Sequence, residues 1–190
     1  MTDIRMALKN GALTVGSMLL RKERIMGAGY VIKCSSFWCR YKRELFAGIG
    51  MGFPQTYREL IEKAKAGLIS EEHAEFLENN PKGALDAQVC IYRCSGCGHI
   101  YSDYVLDMYV PKEEDEEIPE RGRWSVVNPA DGIRYIMPYE LAGNYKLYEK
   151  HPHHCPNCGE EAGVLDKLDH ITEKCPNCGG ELKADRILWD

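Results

Sequence analysis

The sequence lacks the short motifs that identify several large enzyme classes. It contains no HExxH, no P-loop and no GxGxxG motif, which are signatures of zinc proteases, NTPases and dinucleotide-binding enzymes. It also lacks a long apolar run, since the run at residues 12–20 is too short to span a bilayer and no small-residue cleavage site follows it. We therefore predict a protein without membrane contact, and we assign no catalytic residue.

A strong excess of basic residues is also missing. The chain has 24 Lys and Arg against 29 Asp and Glu, a formal net charge of −5. Nucleic-acid affinity depends on basic side chains at the phosphates, so any such contact has to be local. Cysteine, by contrast, is abundant, with nine in 190 residues. Because these cysteines are paired at metal-ligand spacing, they favour a reducing cytoplasm over a disulfide framework, and we predict a cytoplasmic protein.

The sequence Cys-Pro-Asn-Cys-Gly occurs twice, at residues 155–159 and 175–179. Two thiolates three positions apart reach one ion only if the backbone turns tightly, and Pro and Gly favour such a turn. This C-x2-C…C-x2-C spacing is typical of a tetrahedral metal site. Free core thiols or a disulfide pair are the alternatives. We predict one metal site here, site 1, whose ligands are Cys155, Cys158, Cys175 and Cys178.

Two further cysteine pairs, one C-x4-C and one C-x2-C, lie in the first half of the chain. Because the C-terminal four cysteines already complete a site at short range, elimination assigns the two remaining pairs to each other. The C-x4-C pair lacks the Pro and Gly residues, and its alternative is a reduced pair packed in the core. We predict a second metal site, site 2, whose ligands are Cys34, Cys39, Cys94 and Cys97.

Two helices are predicted between the halves of site 2. Apolar residues recur at helical spacing from Tyr57 to Ala64, and Gly67 closes the run. Ser70 is a suitable N-cap for a second helix over residues 71–79. Residues 162–171 suit either a short helix or a hairpin. Strands are predicted at residues 30–33, 41–49, 87–93, 99–110 and 181–189.

The chain is predicted to divide into four segments. Its first segment is a flexible leader or short helix, within which Met26 is an alternative start to Met1. The acidic run at residues 112–117 is a like-charge block of the kind found in solvated loops, so it marks a boundary. The segments are a leader (1–28), a module with a helical insert at 54–80 (29–110), an acidic linker (111–122), and connecting strands with a C-terminal metal module (123–190).

On its two Cys-Pro-Asn-Cys-Gly repeats, the segment 150–190 resembles the zinc-ribbon and rubredoxin-like superfamily. Residues 29–110 resemble a more divergent zinc ribbon that carries the helical insert. The resemblance implies a small α+β fold with two zinc-ribbon modules, built from β-hairpins and knuckles, and two Zn2+ per chain. Rubredoxins bind iron at similar spacing, but the aromatic cluster expected beside such a centre is missing from residues 159–174, so zinc is favoured. Fold alone does not identify a substrate.

The predicted metal sites are closed, which points to a binding function. Four thiolates leave no open position on tetrahedral zinc, so we expect structural metals in a binding or adaptor module. Nucleic-acid binding is the alternative, because basic and aromatic residues alternate around the first cysteine pair. A redox function through iron or reversible thiols is a third. A protein or nucleic-acid partner is expected to contact Lys33, Phe37, Trp38, Arg40, Lys42 and Arg43.

Three other features have competing interpretations. Cys90 is predicted to be a buried thiol, because on a strand it lies about 13 Å from Cys94. The histidine-rich residues 151–154 are interpreted as a polar loop, with His153 or His154 as a substitute metal ligand in the alternative. The aromatic residues between positions 123 and 148 are expected to pack between the modules, and an exposed base-stacking platform is their alternative.

Overall fold

The computed structural model describes residues 27–112, 135–165 and 173–187. Nearly all of the predicted leader, including Met26, lies outside the described residues. The same holds for most of the acidic linker, for residues 123–134 of the predicted connecting stretch, for residues 166–172, and for residues 188–190 at the end of the predicted last strand. The described helices are α1 (Phe53–Lys65), α2 (Glu71–Asn79) and α3 (Pro138–Asn144). The described strands are β1 (Ala28–Cys34), β2 (Lys42–Ala47), β3 (Ala84–Leu85), β4 (Val89–Cys94), β5 (Ile100–Tyr104), β6 (Met108–Pro111), β7 (Tyr145–Glu149), β8 (Ala162–Val164) and β9 (Leu182–Ile187).

The two predicted helices are confirmed, and α2 has the predicted bounds. The backbone N–H of His73 donates to Ser70 Oγ (3.3 Å), which caps the helix. The imidazole of His73 is fully buried, and its Nε2 donates to the carbonyl oxygen of Leu106 (3.0 Å). Its Nδ1 lies 2.7 Å from Ser70 Oγ, within hydrogen-bond distance. The short helix α3 was not predicted, and it lies in the stretch expected to connect the modules.

The first sheet joins segments from the two ends of the described chain. β1 is its central strand, with β2 antiparallel on one side and β9 antiparallel on the other. The register places Lys33 opposite both Lys42 and Lys183, and it places Cys34 opposite Leu182. The predicted last strand is thus present as β9, and its hydrogen-bonding partner is the first strand of the chain.

The second sheet repeats the same plan. β4 is central, with β5 on one side and β8 on the other, all antiparallel. Each of the two sheets therefore consists of a hairpin with cysteines near its turn and a third strand contributed by a later part of the chain.

A third sheet has the strand order β3-β6-β7. The predicted strand over residues 99–110 is in fact two strands, β5 and β6, which belong to different sheets. The chain turns between them at Leu106, a non-glycine residue with a positive φ of 57°. Such a conformation is uncommon for a side chain of this size, and the periodicity of the sequence gives no sign of it.

Two hydrophobic cores hold these elements. The first lies between α1, α2, α3 and the third sheet. The second lies between the two cysteine-bearing sheets, and it buries Ile32, Leu45, Ile91 and Ile100 to 2% exposure or less. Each such side chain contributes about 1.5–3 kcal/mol when it is fully buried. The two cysteine-bearing sheets are therefore packed against each other.

Polar contacts also join these two sheets. The backbone N–H of Phe46 on β2 donates to Ser102 Oγ on β5 (2.7 Å). Arg93 on β4 forms an ion pair with Glu173, which lies just before the last two cysteines.

The described chain is a small α+β protein with antiparallel sheets, as predicted. None of its described helices has the length and apolar character needed to cross a membrane. The division into two zinc-ribbon modules stays a prediction.

Candidate metal centres

Four knuckles, each a pair of cysteines with the turn between them, come together in the structure as two groups of four. The first and fourth knuckles form the outer cluster: Cys34, Cys39, Cys175 and Cys178. The second and third form the inner cluster: Cys94, Cys97, Cys155 and Cys158. In each cluster the four sulfur atoms lie within 4.8 Å of one another. No other group of potential metal ligands is placed in this way within the described ranges.

The predicted grouping of the cysteines into site 1 and site 2 is therefore corrected. The same eight cysteines come together, but the two Cys-Pro-Asn-Cys-Gly knuckles belong to different clusters. The physical reason is strand pairing: β9 pairs with β1 and carries the fourth knuckle to Cys34, while β8 pairs with β4 and carries the third knuckle to Cys94. Short separation along the chain favoured the local pairing, and sheet topology overrides it.

The spacing of the sulfur atoms fits a single ion in each cluster. In the outer cluster Cys34 Sγ lies 3.5 Å from Cys178 Sγ, and Cys39 Sγ lies 3.7 Å from Cys175 Sγ. The matching distances in the inner cluster are 3.4 Å and 3.7 Å. Four sulfurs placed about 2.3 Å from a central zinc ion at tetrahedral corners are separated from one another by about 3.8 Å. The thiols thus already stand close to the positions that a tetrahedral metal requires.

The third and fourth knuckles have nearly identical backbones, which explains why the five-residue sequence is repeated. The N–H of Gly159 donates to the carbonyl oxygen of Cys155, and the N–H of Gly179 donates to that of Cys175, both at 2.8 Å. Both glycines have positive φ, 79° and 71°. Side chains other than hydrogen rarely adopt this conformation, so the glycine after the second cysteine is required by the turn.

Backbone N–H groups point at the sulfur atoms and favour thiolates. Ser36 N donates to Cys34 Sγ and Cys97 N donates to Cys94 Sγ, both at 3.4 Å. In the metal-free protein the hydrogen bond from the Ser36 backbone lowers the pKa of Cys34 to about 7. Hydrogen bonds from the backbone of His99 and the side chain of Asn157 lower the pKa of Cys97 to about 6.

Against a lowering hydrogen bond from the Tyr41 backbone, burial and the neighbouring thiols raise the pKa of Cys39 to about 12. Against a lowering hydrogen bond from the Glu160 backbone, the thiols of Cys94 and Cys97 raise the pKa of Cys158 to about 12. Because metal binding requires deprotonated cysteine, each cluster contains a thiol that loses its proton readily and one whose proton must be displaced by the metal.

The two clusters differ in which knuckle carries a glycine and which carries the side chain that faces it. In the outer cluster Gly180 faces Ser36, and a Cβ on Gly180 would collide with the Ser36 hydroxyl and lie 3.3 Å from the sulfurs of Cys34 and Cys178. In the inner cluster the arrangement is reversed, because Gly96 faces Glu160, and a Cβ on Gly96 would lie 2.9 Å from the Glu160 side chain. Each cluster thus has one residue pair that faces across its knuckles, Ser36 with Gly180 and Gly96 with Glu160. There is room for only one side chain in each pair, so the other residue must be glycine.

The histidines near the third knuckle are not part of either cluster. His153 Nε2 donates to the carbonyl oxygen of Val105 (3.1 Å), and His154 Nδ1 lies 3.2 Å from the carbonyl oxygen of Gly159. The structure therefore groups neither with the cysteines as a substitute ligand. Cys90 also lies outside both clusters, and it is half-buried where full burial was predicted.

The first knuckle presents two large aromatic side chains to solvent. Phe37 is fully exposed and Trp38 is 74% exposed. Of the other residues predicted to contact a partner, Arg40 is exposed within the turn, and Lys33 and Lys42 lie opposite each other where the two strands meet it. Arg43, in contrast, lies opposite the buried Ile32 on the other face of the sheet, and its guanidinium group lies 6.0 Å from the centre of the Tyr41 ring. Sequence reasoning missed Lys183 on β9, which the sheet register places beside Lys33. No local pattern could reveal it, because about 150 residues separate the two lysines.

Comparison with protein-family models, with curated proteins and with solved structures finds no match to this chain.

Proposed function

We propose that this is a zinc protein whose two metal ions are structural, and that it acts as a binding or adaptor module without catalytic activity. The observation that carries the proposal is the pair of four-thiol clusters, each spaced for a single tetrahedral ion. Four cysteine sulfurs are the ligand set of structural zinc, and they leave no position for a substrate or an activated water.

Zinc is proposed over iron, although sulfur at tetrahedral corners suits both metals. The described residues between the third and fourth knuckles (159–165 and 173–174) include no aromatic residue, whereas an aromatic cluster is expected beside a rubredoxin-like iron site. Tyr41 and Tyr30 do pack in the core that includes cysteines of the outer cluster, so the metal content of the protein decides between zinc and the redox alternative.

Elemental analysis of untagged full-length protein tests the proposal. We expect two zinc ions per chain and a colourless protein. Replacement by cobalt should give the intense visible absorption of tetrahedral thiolate coordination at both sites. Iron in place of zinc would favour the redox alternative, and a chain that folds without any metal would refute the structural role.

The tip of the outer cluster is the surface that we propose for the partner. Phe37 and Trp38 are neighbours in the chain and both are largely exposed, and contiguous exposed apolar surface is a feature of interaction sites. The first knuckle that carries them is held at both of its cysteines by the outer cluster. A metal ion there would fix the loop and so present both rings at little entropic cost.

A further inference from the structure

Three lysines form a row across the first sheet. Lys33 lies directly opposite Lys42 on β2 and directly opposite Lys183 on β9, and all three side chains are exposed. Like charges placed directly opposite each other on neighbouring strands destabilise a sheet. The lysine row therefore does not stabilise the sheet, and binding of an anionic ligand would explain why it is present.

Nearby carboxylates neutralise the row only in part. Lys33 pairs with Asp185 (2.5 Å) and Lys42 pairs with Glu44 (3.4 Å), but all four side chains are more than half exposed, so both ion pairs are weak. Lys183 forms no ion pair with the described residues. The exposed Glu181 also lies at this end of β9, and its backbone forms an isolated β-bridge with that of Lys174. A ligand carrying phosphates at several points can displace such weak pairs.

The exposed rings lie at the same end of the sheet as the lysine row. Phe37 and Trp38 occupy the turn between Cys34 and Cys39, and Lys33 and Lys42 are the residues at which β1 and β2 meet this turn. Arg40, also exposed, lies within the turn. Exposed aromatic rings beside a row of cations match a ligand that alternates between planar bases and phosphates.

We infer that the lysine row and the two exposed rings form a binding surface for single-stranded nucleic acid. Bases stack on Trp38 and Phe37, and phosphates lie along Lys42, Lys33 and Lys183. Single strands fit better than a duplex, because only unpaired bases offer their faces to exposed rings. An acidic peptide would meet the lysines but would leave the rings without a partner.

This inference rests on the proposed function, in which a structural metal ion holds the outer cluster together. The surface needs that ion because it combines β1 and β2 with β9, which comes from the other end of the described chain. Lys183 reaches the row only when β9 is held against β1, and the outer cluster joins the knuckles beside these two strands. Loss of the outer metal should therefore abolish binding, while the inner cluster plays no direct part in the surface.

Fluorescence anisotropy with zinc-loaded full-length protein provides the test, using a labelled single-stranded deoxythymidine oligonucleotide and a duplex of equal length. We expect the single strand to bind more tightly, with the logarithm of affinity falling against the logarithm of salt with a slope of about −2 for three phosphate contacts. Trp38→Ala should weaken binding about tenfold, within the range for one stacked base, while Trp38→Phe should retain most of the affinity. Lys183→Gln should reduce the salt slope by about 0.7.

Matched controls separate this inference from the proposed function. Lys146→Gln removes an exposed lysine on β7 and should change nothing. Zinc content measured on each sample reports the structural role independently of nucleic acid. Three results would overturn the inference: no binding at low salt by protein that holds two zinc ions, equal binding of wild type and Trp38→Ala, or polyglutamate binding in the absence of oligonucleotide binding.

Discussion

The sulfur atoms of Cys34 and Cys178 lie 3.5 Å apart, although 144 residues separate the two cysteines along the chain. The inner cluster lies within the segment that this contact encloses. The order of the knuckles is therefore nested: the second pairs with the third, and the first pairs with the fourth. The outer cluster holds the knuckles beside β1 and β9, the first and last described strands. Loss of this cluster should therefore destabilise both strands.

Replacing Cys175 by serine should therefore damage the first sheet. We expect backbone amides of β1 and β9 to lose hydrogen-exchange protection, because metal binding in a small thiolate site is largely folding free energy. Amides at residues 155–165, beside the inner cluster, should stay protected. Hydrogen exchange read by mass spectrometry distinguishes these regions, and Cys90→Ser serves as a control outside both clusters. Loss of protection throughout 150–187, with β1 unaffected, would contradict the nested arrangement.

Gly180→Ala should destabilise the protein, because the new Cβ would collide with the Ser36 hydroxyl beside two ligand sulfurs. Overpacking of this kind costs about 1–3 kcal/mol. Removing the obstacle in the double variant Ser36→Gly/Gly180→Ala should recover part of the loss. Gly163→Ala is the control, since no atom lies within 4 Å of its added Cβ. Chemical denaturation of the zinc-loaded proteins measures the differences, and equal stability of Gly180→Ala and wild type would show that the outer cluster is not covered as described.

Stability should fall as the pH is lowered from about 6.5 towards 4, in part through His151. Burial lowers the pKa of this ring to about 4, and the neighbouring His153 and His73 act in the same direction against the opposing charge of Asp103. The unfolded chain therefore binds a proton in this range that the folded chain does not, and the contribution of His151 is complete above pH 6.5. Because solvent screens a half-buried ring, we expect on the order of 1 kcal/mol.

His151→Phe keeps a ring beside His73 and His153 but cannot be protonated. Its melting temperature should consequently fall less steeply than that of wild type between pH 6.5 and pH 5. Zinc content is measured at each pH, because acid also releases metal from thiolates. Parallel curves for the two proteins at equal zinc content would exclude this role for His151.

Local features of the fold could be predicted from the sequence, whereas its long-range pairing could not. Helix α2 and its cap at Ser70 follow from residues within one helical turn, and the eight cysteines in the clusters follow from spacings of three to five residues. The pairing of Cys34 with Cys178 depends on β9 joining β1, and no local pattern encodes which strand is the neighbour. The turn at Leu106 escaped prediction because a leucine with positive φ breaks the usual preference.

The partner surface was predicted in part for the same reason. Phe37, Trp38 and the basic residues around them are close in sequence, so their alternation is visible there. Lys183 comes beside Lys33 only through the sheet register. The lysine row could consequently not be predicted from the sequence, although Lys33 and Lys42 were among the predicted contact residues.

Zinc content of paired cysteine variants tests the central claim, the nested pairing of the knuckles, most directly. Cys34→Ser/Cys175→Ser removes two ligands from the outer cluster alone, so the protein should retain one zinc ion per chain. Cys34→Ser/Cys94→Ser removes one ligand from each cluster, so both ions should be lost or weakly held. The opposite result, in which the first variant loses both ions and the second retains one, would contradict the account and restore the local pairing of the two Cys-Pro-Asn-Cys-Gly knuckles.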